Sequence, residues 1–305
     1  MICLFPAPVL LAAEKKAEFR PMDRWYEVYL GESKVGFAHS TMKLVEGEVR
    51  SESIFEMRIK RAGQVIEMKV AERTSESPDG KIIGFSGETL MAGIPILKKG
   101  WVENGEIVVR EKQFLRETTK RYPLDPQGKM TWGILKLLKE KGFREKGLTY
   151  EARVYSPDFG MAKPTRAIIR TLGPAKVSLA EGEIDAFETE IEMVSSVGSL
   201  KTSNWLDGEG IAVRTQMQMG GLSIDIRQSS EKRAKAEGEL KEDFLLDSVI
   251  SLGSELPPMA PRNVFRLRAK NGNLTGIAYE GKTQKIRRID GRTLEIEVLA
   301  EDWKA

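Results

Sequence analysis

The sequence predicts a mainly β chain of the α+β class: an antiparallel curved sheet with one packed helix, followed by a small C-terminal β domain. Three observations carry this. Apolar and polar residues alternate with a period of two in segment after segment. Those segments follow one another across short polar turns, the pattern of an antiparallel meander. A 3.6-residue apolar period interrupts the run over 126–142.

Trp25, Glu27 and Tyr29 oppose Tyr26, Val28 and Leu30 in the first strand, and Gly31-Glu32-Ser33 turns the chain. In the second strand Val35, Phe37, His39 and Thr41 alternate with Gly36, Ala38, Ser40 and Met42. Further strands are predicted at 48–60, 64–76, 81–91, 95–102, 105–111 and 113–121. Pro78-Asp79-Gly80 and Asn104-Gly105 separate some of them, since Gly accepts positive φ and Pro fixes the entry to a turn. Asp125 as a cap and Pro126 at the first helical position open the predicted helix. Its Met130, Ile134, Leu137 and Leu138 share one face before Gly142, and that face must pack on a sheet. Strands resume at 148–156, 165–172, 175–181, 184–196, 199–206, 210–219 and 222–229, with Asp207-Gly208-Glu209-Gly210 as a hairpin turn. The charged stretch 232–242 is predicted as a linker. A short helix over Phe244 to Leu252, a Pro-rich segment and three or four strands between Val264 and Val298 follow. The organisation is therefore a leader and mature N-terminus (1–19), a large β domain (20–231), a linker (232–242) and a small domain (243–305).

Composition narrows the chemistry. The 305 residues contain one histidine, His39, and one cysteine, Cys3. A Cys/His couple needs both side chains in hydrogen-bond reach, and zinc draws its ligands chiefly from these two residue types. No catalytic or metal site and no cofactor is expected. Lys and Arg number 48 against 45 Asp and Glu, a balance of +3. Nucleic acid is therefore not an expected partner. The densest basic stretch, Lys282, Lys285, Arg287, Arg288 and Arg292, is diluted by Asp290 and reads as a solvated strand face. Residues 2–13 are apolar and uncharged and end in Ala12-Ala13, like the tail of a signal peptide, which predicts a periplasmic or secreted protein. No basic residue precedes that run, so a buried first strand is the other reading. It is too short for a transmembrane span, which needs about 20 residues.

Few side chains stand out as a site. His39 is expected to be a structural, hydrogen-bonded histidine pointing inward. Glu188, Glu190 and Glu192 lie on one face of a strand, which favours solvated acids over a catalytic pair. Asp207 and Glu209 fall short of a calcium ligand set and read as a turn. The apolar content is more suggestive. Trp25, Met57, Met68, Met91, Trp101, Met217 and Met219 lie on predicted strands. On a concave face, Met and aromatic side chains suit a flexible apolar ligand, with an ordinary core as the plainer reading.

Trp25-Tyr26-Glu27-Val28-Tyr29-Leu30-Gly31, with Lys34-Val35-Gly36-Phe37-Ala38-His39, resembles the opening of a β-rich region found ahead of transglutaminase-like domains in some secreted or periplasmic bacterial proteins. Gly147-Leu148-Thr149-Tyr150, Tyr155-Ser156-Pro157, Phe187-Glu188-Thr189 and Trp205-Leu206-Asp207 with Gly210 and Arg214 continue the likeness over about residues 23–230. The succession of strands around a helix is also similar to the half-barrel of periplasmic lipoprotein carriers. The resemblance implies export, a β module with Gly36, His39, Trp205 and Asp207 as structural motif residues, and a role in binding or positioning. It implies as partner a transglutaminase-like or other envelope protein, or an apolar ligand. The Cys/His/Asp triad of the transglutaminase-like domain has no counterpart here, since no cysteine follows Cys3 and no histidine follows His39. The expected function is a non-enzymatic exported accessory module for binding or scaffolding. A carrier of a lipid or acyl chain and the N-terminal fragment of a transglutaminase-like cysteine enzyme are the alternatives.

Overall fold

The computed structural model describes residues 19–240, apart from 62–63, 92, 158–159, 196–197 and 220–221, together with 262–269 and 283–299. The leader, the predicted helix over 244–252 and the Pro-rich segment lie outside the described residues. The chain divides into two units, 1–248 and 249–305.

Fifteen strands of the first unit form one sheet. Eight run as a meander: β1 (Met22–Leu30), β2 (Ser33–Val45), β3 (Glu48–Arg61), β4 (Gln64–Glu76), β5 (Ile82–Met91), β6 (Ile94–Glu103), β7 (Glu106–Gln113) and β8 (Arg116–Pro123). After the two-residue β9 (Gly128–Lys129) and the helix α1 (Thr131–Lys141), a second meander follows. It comprises β10 (Thr149–Ser156), β11 (Gly160–Leu179), β12 (Gly182–Ser195), β13 (Gly198–Leu206), β14 (Ala212–Met219) and β15 (Leu222–Ser229). β15 pairs antiparallel with β1, so the sheet runs from β8 through β1 and β15 to β9.

The sheet is curved and not closed: β8 and β9 are its two ends. Side chains instead bring the halves together. Tyr155 and Met161, around the β10–β11 hairpin, share a core with Phe85, Ile107 and Val109 of β5 and β7. Ser156 Oγ donates to Glu72 Oε1 at 2.8 Å, and Lys98 Nζ donates to the Pro157 carbonyl at 2.8 Å. Gly87 makes room for this hairpin, because a Cβ there would lie 3.0 Å from Pro157 Cβ.

Alternation sorts residues between two faces. Tyr26, Val28 and Leu30 pack inside with Ala38, Met57 and Ile224. Trp25, Glu27 and Tyr29 point outward, where charge pairs run across the strands. Asp225 accepts from Arg214, Arg227 and Gln216, and Arg170 bonds both Glu190 and Glu192. The short helix α2 (Glu231–Lys235), capped by Ser230, lies against β1 and β2. Its Arg233 Nε is 3.6 Å from Glu27, and its Lys235 Nζ is 4.5 Å from the Trp25 ring centroid. The stretch expected to be a linker thus begins as a packed helix with Ala234 buried. A small residue at the contact side lets a charged segment dock.

α1 also begins later than expected. Asp125 does not cap it; its Oδ1 accepts from Gln127 N at 2.9 Å and shapes a turn, after which β9 pairs parallel with β10. Met130, at the N-cap, offers no side-chain bond, and the carboxylate of Glu76 on β4 takes that place. Gly142 ends the helix at φ +82°, its N–H bonded to Leu138 O, with Lys139 and Lys141 favourably placed in the last turn. Trp132 and Leu135 pack with Met42 and Val49, whereas Leu138 packs with Ala152, Ile169 and Leu206. The helix therefore bridges the inner faces of both meanders.

The strands expected at 165–172 and 175–181 are one strand, β11. Gly173-Pro174, which reads as a break, is absorbed by a bulge between Thr171 and Gly173, with Gly173 at φ +100°. In the second unit β16 (Arg262–Arg268), β17 (Gln284–Arg288) and β18 (Thr293–Leu299) form a sheet in the order β16-β18-β17. Glu295 lies between Arg266 and Arg287 at 2.6 Å from each, and Leu294 is fully buried.

Candidate ligand cavity under the helix

The inner face is neither fully apolar nor fully filled. Along β2 and β3 the inward positions run Ala38, Ser40, Met42 and Phe55, Ser53, Ser51, so serines interrupt the core where α1 spans the sheet. A cavity of about 310 to 570 Å³ is the size at which several concavities of this surface fall, and the one under α1 measures about 370 Å³. That is within the range of about 300–1,000 Å³ usual for small-molecule sites. Ile134 and Leu138 of α1, Ile191 of β12, and Leu206 of β13 supply apolar walls, with Met42 and Tyr26 opposite. Ser40, Ser51, Ser53, Glu72 and Asn204 supply polar atoms.

Most of these polar groups are already partnered. Ser40 and Ser53 hydroxyls lie 3.4 Å apart, Asn204 bonds Thr202 and Thr215, and Tyr26 Oη donates to Ala212 O at 3.0 Å. Burial pushes the Tyr26 hydroxyl far above its ordinary range, so it stays a protonated donor. Ser51 differs. Its hydroxyl is buried and has no hydrogen-bond partner among the described residues, and the same holds for Thr74, directly opposite it on β4. A buried hydroxyl left unbonded costs about 1–3 kcal/mol, and both of these are closed off between β3 and β4 rather than open to the cavity, so the cost falls on the sheet itself.

The carboxylate nearest the helix is committed to structure. Glu76 Oε2 accepts from Trp132 N at 2.6 Å and Oε1 from Gly133 N at 2.9 Å. Burial raises its pKa, and the backbone donors of Gly133, Trp132 and Met130 oppose that rise without cancelling it.

The residues singled out in sequence divide between the faces. Met57, Met68 and Met91 lie directly opposite one another on β3, β4 and β5 by register, and Met68 and Met217 pack on the cluster that contains Met57. Met57 is buried, whereas Met91 is half exposed. Trp25 and Trp101 are on the other face, because the alternation that carries Met57 inward carries them outward. Trp25 stacks on His39 at 3.8 Å, and Trp101 edges an outer groove beside Lys99, Arg73 and Arg50. The backbone of Met219 pairs with Leu222, while its side chain lies outside the described residues.

The structural motif residues have concrete partners. His39 is on the outer face rather than the inner one, since Gly36 and Ala38 take the inward positions of β2. Its Nε2 lies 2.8 Å from Asp23 Oδ1, a carboxylate on the neighbouring strand. At Gly36 a Cβ would fall 1.9 Å from Glu56 O, so no other residue fits. Asp207 Oδ1 accepts from Glu209 N and Ile211 N, making the hairpin an Asx turn, and Arg214 stacks over Trp205 at 5.1 Å. Ser51, Ser53, Ile191 and Asn204 were not singled out in sequence. For the two serines the signal is serine at successive inward positions of β3, whose neighbouring inward residues Phe55 and Met57 are apolar; Ile191 and Asn204 carry no such signal.

No helix of the described residues is long and apolar enough to cross a membrane. No family model and no curated protein matches the chain. Among solved structures it is similar to a β-barrel-like protein of the domain of unknown function DUF1849 from Brucella abortus, at 15% identity and a TM-score of 0.55. The match covers 69% of this chain and 96% of that one. The likeness is one of fold, a curved and barrel-like β-sheet.

Proposed function

We propose that the chain is a non-enzymatic binding module of the bacterial envelope that holds an amphiphilic small molecule, such as an acyl chain with a polar head, in the cavity under α1. The observation that carries the reading is the cavity itself: about 370 Å³ in volume, walled by Ile134, Leu138, Ile191 and Leu206, with only a few polar side chains, among them Ser40, Ser53 and Asn204, at its surface. Apolar walls with few converging polar groups are the usual chemistry of such sites. The barrel-like neighbour is consistent with a container, and the leader-like residues 2–13 together with the resemblance of the Trp25–His39 stretch support the envelope setting.

Native mass spectrometry of the full chain purified from cells tests this, together with titration by a fluorescent fatty acid. The expected result is a co-purifying small-molecule mass and saturable fatty-acid binding. Both are lost in Ile191→Trp, which fills the cavity, and weakened in Ser53→Ala, which removes a hydroxyl from its wall without adding bulk. A ligand-free mass with no fatty-acid binding by the wild-type chain overturns the proposal.

A further inference from the structure

The two ends of the large sheet differ in character. At the end that carries α1, the turn residues themselves are polar, Glu46-Gly47 between β2 and β3 and Asn104-Gly105 between β6 and β7, although Leu44 and Ile83 beside the turns there are exposed too. At the opposite end, large apolar side chains stand in solvent. Phe114 is 64% exposed and Leu115 fully exposed in the two-residue turn between β7 and β8; Met91 and Ile94 flank the β5–β6 turn, and Val65 flanks the β3–β4 turn, all substantially exposed. The register places these three hairpins side by side. With strands about 4.8 Å apart, the strand ends of neighbouring hairpins stand roughly 10 Å from one another.

Phe114 also breaks a local rule. Three non-glycine residues of the described chain have positive φ: Glu46, Asn104 and Phe114, the last at +53°. Left-handed backbone is ordinary for Asn or Gly in a tight turn and unfavourable for a bulky aromatic. Solvent exposure of Phe114 offers no packing energy to offset this, so neither stability nor turn chemistry explains the residue. Positions that contradict local preference without a folding gain are where function is expected.

We infer that this rim seats on the surface of an anionic lipid bilayer, with Phe114 and Leu115 as the leading wedge. Lys112 and Arg116 flank the turn at the height of headgroup phosphates, and Lys60 stands opposite Val65 on the β3–β4 hairpin. The rim carboxylates Glu67, Glu111 and Glu117 lie 3.4 to 3.9 Å from the basic groups of Arg58, Lys98 and Arg110. Apolar side chains spaced along the strand ends and interleaved with basic ones suit a bilayer, where each apolar side chain enters between headgroups and lysine or arginine meets phosphate. They suit a protein partner less, since such an interface centres on a contiguous apolar core.

Co-sedimentation of the full chain with phosphatidylcholine vesicles, with and without phosphatidylglycerol, tests the inference. Binding is expected to require phosphatidylglycerol, to fall with salt, and to weaken about a hundredfold in the double variant Phe114→Ser, Leu115→Ser. Phe114→Asn separates function from fold: it relieves the left-handed strain, so thermal stability rises or holds while vesicle binding falls. Glu46→Ser, at the other end, leaves binding unchanged. Ile191→Trp does so too, which keeps this inference distinct from the cavity reading. Three results would each overturn it: no binding of the wild-type chain at low salt, equal binding by the Phe114 and Leu115 variants, or a self-association in sedimentation velocity that Phe114→Asn abolishes in a chain that ignores vesicles.

Discussion

Glu76 and Trp132, 56 residues apart in the chain, meet as acceptor and donor at 2.6 Å, so a strand carboxylate caps the helix that fills the half-barrel. The cap satisfies two of the N–H groups that every helix start leaves unbonded, and the negative charge meets the positive end of the helix dipole. Glu76→Ala should cost about 3 kcal/mol, because buried N–H groups lose a charged acceptor. Chemical denaturation of the two proteins measures it.

The pH dependence of the same group has a definite sign. Burial raises the folded pKa of Glu76 above its unfolded value. The folded state therefore binds the proton more tightly, and this contribution to stability is full below the unfolded carboxylate pKa and is lost as pH rises through the folded one. Relative to Glu76→Gln, which does not titrate, the wild-type chain should gain stability as pH is lowered from neutrality towards the ordinary carboxylate range. A thermal-unfolding series at matched pH values reads the difference, and parallel curves for the two proteins would contradict it.

Asp225 carries the opposite sign. Burial alone would raise its pKa, but hydrogen bonds from Arg214, Arg227 and Gln216 outweigh that and hold it below the ordinary value. Its contribution is present above the unfolded carboxylate pKa and disappears as pH falls through the lower, folded value. Asp225→Asn should destabilise the chain by roughly 3 kcal/mol at neutral pH, since two arginines lose a buried partner. The gap between variant and wild type should close in acid below about pH 4.

Gly36 and Gly47 separate two reasons for glycine. A Cβ at Gly36 meets Glu56 O at 1.9 Å, whereas one at Gly47 meets nothing within 4 Å but sits on a backbone with φ +80°. Gly36→Ala should prevent the first hairpins from pairing and yield little folded protein. Gly47→Ala should cost only about 1 kcal/mol, the strain of a left-handed alanine. Soluble yield and thermal midpoints distinguish them.

Gly87 tests how the curved sheet is held. Gly87→Val puts side-chain bulk where Pro157 rests, which should lift the β10–β11 hairpin away from β5. Hydrogen exchange over residues 152–157 should accelerate while protection of the β12–β13 pair is retained.

Much of this architecture was legible because it is local. Period two and turn residues located the strands from β1 to β7 to within a few residues, and Asn104-Gly105 and Asp207 to Gly210 are turns as expected, but Phe114-Leu115, expected inside a strand over 113–121, is the turn between β7 and β8. Misreadings arose where distant groups decide. Asp125-Pro126 has the chemistry of a helix start, but a carboxylate on β4 sets the start five residues later. Alternation assigns Met57 and Trp25 to faces, yet which face is inner depends on how the sheet curls, so the methionines and the tryptophans were grouped when they lie on opposite sides. The cavity walls come from α1, from β1 to β4 and from β12 and β13, a combination fixed by the pairing of β15 with β1 and invisible to any short window of sequence.

That pairing governs how the sheet can assemble. The ladders within each meander join consecutive strands, so each half can form from local hairpins with little loop-closure cost. The β1–β15 seam instead joins Trp25 to Ser229 and must wait for the whole first unit to be made. Contacts this distant slow folding, so the seam sets the rate and the meanders do not. The complementary edges of β1 and β15 are also alike in every copy of the chain. At high concentration during refolding, the first meander of one molecule can therefore zip to the second meander of another, which makes the seam the point of exchange for a domain-swapped dimer.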